Sequence, residues 1–328
     1  MYELYKFIYS IGLITFGLFF GQATKLLVYN KVMKKPDRIE TGIGKAQRIA
    51  LLGLNPIINI SAFWGTRLDN PRLAILPILG VGAIMAGGLF GFLSGLLMKQ
   101  DRKQKGSLII SGSFSNTSSF GGLICFMFFG EQSYAFVSMF RLCEEILLYG
   151  VGFPIAKLYG ADNDKDTRFS RKIKNLIRDP FIIASFCSII AGGLLNISGV
   201  ERPEALGKIN GILIPVSSFI LVYTVGYRIR FSALAKYRIQ CFSIGVIKFL
   251  LIPLLIISCA HIGGMQSIQD GMVFKVIVIL SVMPPAFTSL IPSQIYGLDL
   301  DLSNSCWLTG TGALVIVIPI LYIVLRMF

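Results

Sequence analysis

Asn116-Thr117-Ser118-Ser119-Phe120-Gly121-Gly122 and Met283-Pro284-Pro285-Ala286-Phe287-Thr288 each interrupt an apolar segment long enough to cross a lipid bilayer. The first sits in a run from Gly112 to Gly122 that also holds Ser113 and Ser115. Small hydrogen-bonding residues of this kind favour caps and turns over helix interiors, and they offer donors to an anion. The second carries adjacent prolines, each without an amide hydrogen, which frees carbonyls one turn earlier and prevents a continuous helix. Unpaired backbone is costly in lipid and persists only where protein, water or a ligand satisfies it. Taken singly, either segment is accounted for by small residues used for helix packing or by an ordinary proline kink. Two breaks at matching places in two halves instead form the pattern of a transporter with its binding site near the bilayer midplane.

Composition agrees with a lipid environment. Hydrophobic residues make up 54% of the 328-residue chain, charged residues 15%, and mean hydropathy is +0.71; a soluble domain carries about a quarter charged residues. Apolar runs repeatedly reach the roughly 20 residues that span the hydrocarbon. The expected fold class is an all-α polytopic membrane protein with ten transmembrane helices, at about 5–29, 47–66, 71–98, 106–129, 133–157, 179–198, 208–227, 238–260, 272–295 and 303–325.

The net charge of +14 would suit nucleic acid, but the placement of the bases excludes that partner. Segments after spans 1, 3, 5 and 7 hold 21 of the 31 Lys and Arg residues, whereas the other face holds only Lys6, Arg67, Arg72, Arg202, Lys208 and Arg326. By the positive-inside rule both termini are outside and the charged linker 159–178 is cytoplasmic. Five spans on each side of that linker make the second half enter the membrane inverted, so the domains are a first repeat, 1–158, and a second, inverted repeat, 179–328. Pro56 in span 2 and Pro215 in span 7, and the aromatic-Gly ends Phe129-Gly130 and Tyr296-Gly297 of spans 4 and 9, echo one another across the halves. Met1 to Phe20 has no basic n-region and no small-residue cleavage site, and reads as the first span.

A second constellation lies in span 5. Arg141, Glu144 and Glu145 are spaced so that both carboxylates reach the guanidinium from one helical face. Charges at mid-bilayer are expensive, so the group faces inward and is partly self-neutralised; the excess carboxylate is a candidate carrier of a proton or a sodium ion, and a purely structural ion pair is the competing reading. Lys248 and Lys275 are expected to snorkel or pair locally; Lys25 and His261 lie near interfaces. The six cysteines are scattered through apolar spans without Cys-x-x-Cys spacing and read as packing residues, so neither metal nor disulfide is expected.

With these residues in view, the chain resembles the auxin efflux carrier family, which includes bacterial organic-acid carriers and the plant PIN-formed auxin exporters. The family's first-half signature is similar to Asn116, Gly121 and Phe129-Gly130, with Leu123 where the family has proline. Its second-half signature resembles Met283-Pro284-Pro285-Ala286, Thr288 and Tyr296-Gly297, and the start of its sixth span resembles Asp179-Pro180-Phe181 through Gly192-Gly193. The resemblance implies a scaffold from helices 1, 2, 6 and 7, a transport domain from helices 3–5 and 8–10, and substrate at the crossing of helices 4 and 9. It also implies an organic anion as cargo.

The function expected is secondary active transport of a small carboxylate by elevator-like alternating access in the plasma membrane, not an enzymatic activity. Asn116, Thr117, Ser118, Pro284, Pro285 and Thr288 are the substrate-binding residues in this reading. No cofactor is expected, since no Gly-x-x-x-x-Gly-Lys-Ser/Thr loop is present to handle ATP. Partners are the anion, membrane lipid and, as an assembly left open, a second copy in a homodimer. A sodium-coupled symporter of the bile-acid type is the alternative. A passive anion channel and an integral-membrane transferase stand further off, the latter because His261 is the sole histidine and no Asp-Asp pair exists.

Overall fold

The computed structural model describes residues 2–29, 36–66, 70–160, 180–228 and 234–325. Most of the expected linker, from residue 161 to 178, lies outside them. In chain order the helices are α1 (Tyr2–Tyr29), α2 (Pro36–Ile49), α3 (Asn55–Gly65), α4 (Ile75–Leu97), α5 (Arg102–Ser113), α6 (Gly122–Phe129), α7 (Glu131–Phe140) and α8 (Glu144–Leu147). They continue as α9 (Phe153–Tyr159), α10 (Pro180–Ile197), α11 (Glu204–Arg228), α12 (Arg238–Val246), α13 (Ile252–Ile262), α14 (Met272–Ser281), α15 (Leu290–Ile295) and α16 (Leu300–Leu325). The described residues form an all-α membrane protein. Five segments among them are helical, long and apolar enough to cross a bilayer: Gly12–Tyr29, Pro71–Leu97, Glu204–Tyr227, Arg238–Ile262 and Leu300–Leu325.

Several elements depart from straight spans, and proline accounts for three of them. Wide π turns at Ala50–Leu54, Leu148–Gly152 and Ile247–Leu251 each run into a helix whose second residue is proline: Pro56, Pro154 and Pro253. The proline ring clashes with the carbonyl four residues back and supplies no hydrogen bond to it, and the preceding turn widens to relieve both. Pro215 and Pro319, by contrast, lie inside the continuous helices α11 and α16. Pro56 and Pro215, which echo one another in the sequence, therefore bend the chain differently.

Two expectations need adjusting. The charged stretch after span 1 is helical from Pro36, an amphipathic helix of about four turns that runs into span 2 without a loop; proline at the first helical position is pre-set for that start. Span 5 is not continuous but pauses at Arg141-Leu142-Cys143 between α7 and α8.

The chain divides into two compact units. One comprises Met1–Pro71, Ser118–Ser138 and Ile183–Ile229. In it α1 lies along α11 at backbone distance: a Cβ at Gly21 would fall 2.3 Å from the Tyr223 carbonyl oxygen, so the Gly17-x-x-x-Gly21 face acts as the small-residue seam through which membrane helices approach. Asn196 closes the end of α3 by donating to the carbonyls of Phe63, Trp64 and Thr66 at 3.1, 3.0 and 2.7 Å, which satisfies oxygens that a helix terminus leaves unpaired.

The other unit comprises Arg72–Thr117, Met139–Ile182 and Arg230–Phe328. Its α4 and α5 are equally close, with a Cβ at Gly87 only 2.1 Å from the Gly112 oxygen. Asp101 begins α5 with a reciprocal capping box to Gln104. A core of Ile84, Ile110, Phe114, Leu148, Ala156, Ala286 and Leu298 packs under the functional residues described next.

Candidate functional site

The site of interest belongs wholly to the second unit. Helix α5 ends at Ser113, and the chain runs extended through Phe114, Ser115 and Asn116 before winding again as a π turn, Thr117–Gly121. The break is therefore shorter than the polar run suggests, because Thr117 to Gly121 return to helical form. On the other side α14 ends at Ser281, and Met283 to Ala286 are extended before the short turn Phe287–Ser289.

These two extended stretches meet. Ser115 and Pro285 face each other as an antiparallel β-bridge. Asn116 N donates to Pro284 O at 2.8 Å and Ala286 N donates to Phe114 O at 2.9 Å. Each break supplies backbone partners for the other, which is how non-helical chain is tolerated at membrane depth. Prolines suit this role, since the two residues with no N–H occupy positions where only their carbonyls and rings are used. The rings also wedge against α16: a Cβ at Gly310 would fall 2.7 Å from Pro285 Cδ.

Beside the bridge lies a small cavity of about 20 Å³, room for about one water molecule. Thr117, Ser113, Ser115 and Ser281 bring hydroxyls and backbone from the two breaks; Arg141 and Glu144 bring charge from the pause in span 5. Glu144 is buried. It accepts from Thr117 Oγ1 at 2.9 Å and from Arg141 Nε at 3.0 Å. Glu145 is half-buried and stands further off, 3.9 Å from Arg141 Nη2. The polar break and two members of the charged triad, Arg141 and Glu144, separate constellations in the sequence, thus share one cavity, which Glu145 does not line.

The remaining expected residues do not line it. Pro284 and Pro285 form the bridge and do not line the cavity. Asn116 is buried, and its Nδ2 has no hydrogen-bond partner among the described residues; the same holds for Ser118 Oγ. Ser118 opens the segment that belongs to the other unit. Thr288 is half-buried in the turn after the second break and is not part of the cavity wall.

Lys248 takes the second of its two expected outcomes, pairing. It does not snorkel: its side chain is 0% exposed, and the ammonium donates to Ser115 Oγ at 2.8 Å and to Ser113 O at 3.2 Å. It sits in the π turn Ile247–Leu251, one helical turn before Ile252, which lines the cavity. Lys275 lies in the first turn of α14 and is half-buried.

The first unit holds a polar cluster that the sequence reading did not single out. Arg202 Nη2 lies 2.6 and 2.7 Å from the two oxygens of Glu131, which also accepts from Ser61 Oγ at 3.0 Å and Asn210 Nδ2 at 2.6 Å. Its three partners lie 70 or more positions from Glu131 in the chain, so no local spacing announces them. No protein-family model matches the chain, and no curated protein matches it at a significant level.

Proposed function

We propose that this chain is a secondary transporter that carries a small organic anion, a carboxylate, across the plasma membrane by alternating access. The observation that carries the reading is the main-chain bridge between the two breaks, Ser115 opposite Pro285, with a polar and charged cavity beside it. Broken helices that meet and leave donors near their ends are how membrane carriers hold an ionic solute away from lipid. Donors suited to a carboxylate are at hand in Arg141 and the unpaired Nδ2 of Asn116.

The resemblance to auxin efflux carriers supports the same reading. It implies ten spans as a five-plus-five inverted repeat, termini outside, and elevator-like movement of helices 3–5 and 8–10 against helices 1, 2, 6 and 7. Arg141 and Lys248 match Glu144 and Glu145 in formal charge, so a bound monoanion brings one extra negative charge to the site. A proton carried with it, on Glu144 or Glu145, restores the balance. The drive is then a gradient of ion or substrate.

Counterflow of labelled mono- and dicarboxylates and aromatic acids in proteoliposomes tests the proposal. Saturable exchange of at least one acid is expected, reduced ten-fold or more at subsaturating concentration in Asn116→Ala. Absence of flux for every acid sinks the reading. Unsaturable flux with single-channel currents replaces it with a channel.

A further inference from the structure

Lys248 occupies an unusual place for a membrane lysine. Its ammonium has two oxygen partners: the Ser113 carbonyl, freed because α5 ends there, and the Ser115 hydroxyl inside the break. The end of a half-helix and the carbonyls of unwound chain are the ligands with which membrane carriers hold sodium or a proton, and hard monovalent cations take such oxygens in place of water. The negative end of the α5 dipole adds to the attraction. Glu144, the buried carboxylate of the neighbouring cavity, is tied to the same break through Thr117.

We infer that Lys248 is a tethered cation, its ammonium filling a monovalent-cation site built from Ser113 O and Ser115 Oγ, so that the protein needs no sodium there. Three structural features converge on this. The side chain is fully buried, which costs a lysine heavily unless its charge has a task and partners. Its contacts include a main-chain carbonyl of the break and not a carboxylate, the ligand set of a bound metal ion more than of an ion pair. The helix around it is widened at Ile247–Leu251, and π turns of this kind concentrate at functional sites. The inference stands apart from the transport reading, because its test reads stability in salts and not transport.

The experiment compares thermal unfolding of the purified full chain in sodium chloride and in choline chloride at equal ionic strength, for the wild type, Lys248→Ala, Lys248→Met and Lys248→Ala with Ser115→Ala. The wild type is expected to unfold at the same temperature in both salts. Lys248→Ala, with the ammonium gone and space in its place, is expected to gain a saturable sodium-specific rise of about 3 °C or more, as mass action from a folded-state ligand gives. Lys248→Met, which fills the space without charge, and the double variant, which lacks the hydroxyl ligand, are expected to show no such rise. Saturable sodium stabilisation of the wild type overturns the proposal. So does a Lys248→Ala protein that is indifferent to sodium, or one that cannot be recovered even with sodium present throughout, since the free ion should restore what the ammonium supplied.

Discussion

Thr117 Oγ1 stands 2.9 Å from Glu144 Oε2, so the first residue after the break in span 4 is tied by its side chain to the carboxylate at the pause in span 5. Thr117→Val keeps the shape and removes the donor. A net loss of about 1 kcal/mol in folding stability is expected, read by thermal unfolding, because Glu144 then keeps only Arg141 as its partner. An unchanged Tm would show the bond to be without consequence.

Arg141 and Glu144 form a second test of the same carboxylate. Removing the arginine alone, as Arg141→Gln, leaves Glu144 buried without its guanidinium and is expected to cost about 3 kcal/mol. Arg141→Gln with Glu144→Gln is expected to cost less than the single arginine change. A double-mutant cycle in thermal or denaturant unfolding measures the difference, and strict additivity would refute direct coupling.

The polar cluster of the first unit behaves in the same way. Arg202→Met leaves Glu131 with Ser61 and Asn210 but without the cation that reaches both its oxygens. A loss of about 3 kcal/mol is expected, largely reversed when Glu131→Gln is added.

Two glycines of α4 should separate cleanly. Gly87→Ala places a methyl group 2.1 Å from the Gly112 oxygen, so α4 and α5 must part, at a cost of about 2 kcal/mol or more. Gly82→Ala meets nothing nearer than Ile256 Cδ1 at 3.8 Å and is expected to be neutral or slightly stabilising through helix propensity. Unfolding temperatures of the two variants decide the matter.

Alkaline stability should depend on Tyr237. Its phenol donates to Asp299 at 2.8 Å and is held above its ordinary value, first by burial, with Lys236 opposing and Asp299 adding to the rise. A folded-state value above the unfolded one means that the contribution is complete below the unfolded value of about 10 and is lost as pH climbs through the folded value. Between pH 9 and 12, roughly the range that brackets a raised phenol, the wild type is expected to lose stability more steeply than Tyr237→Phe. Parallel curves would contradict this.

Much of the site was written in the chain. The breaks announce themselves because Pro284 and Pro285 cannot continue a helix and because Ser113 to Ser119 prefer not to. Arg141, Glu144 and Glu145 are legible from spacing alone. Lys248 was not, for a geometric reason: the π turn around it inserts an extra residue, which rotates it by about 100° relative to the helix that follows, and a periodicity drawn through the whole span misassigns its face. Nor could sequence show that the lysine's partner would be a carbonyl, since a carbonyl has no letter. Glu131, Arg202 and Asn210 escaped because tertiary folding alone brings them together.

The bridge between Phe114–Asn116 and Pro284–Ala286 is made of main-chain atoms. Every residue has a carbonyl, and all but proline have an amide, so the crossing places few demands on side-chain identity beyond the ability to leave a helix. Heredity can therefore rewrite the cavity wall at Ser113, Thr117 or Ser281 and keep the crossing that frames it. The joint and the wall beside it can therefore change independently of one another.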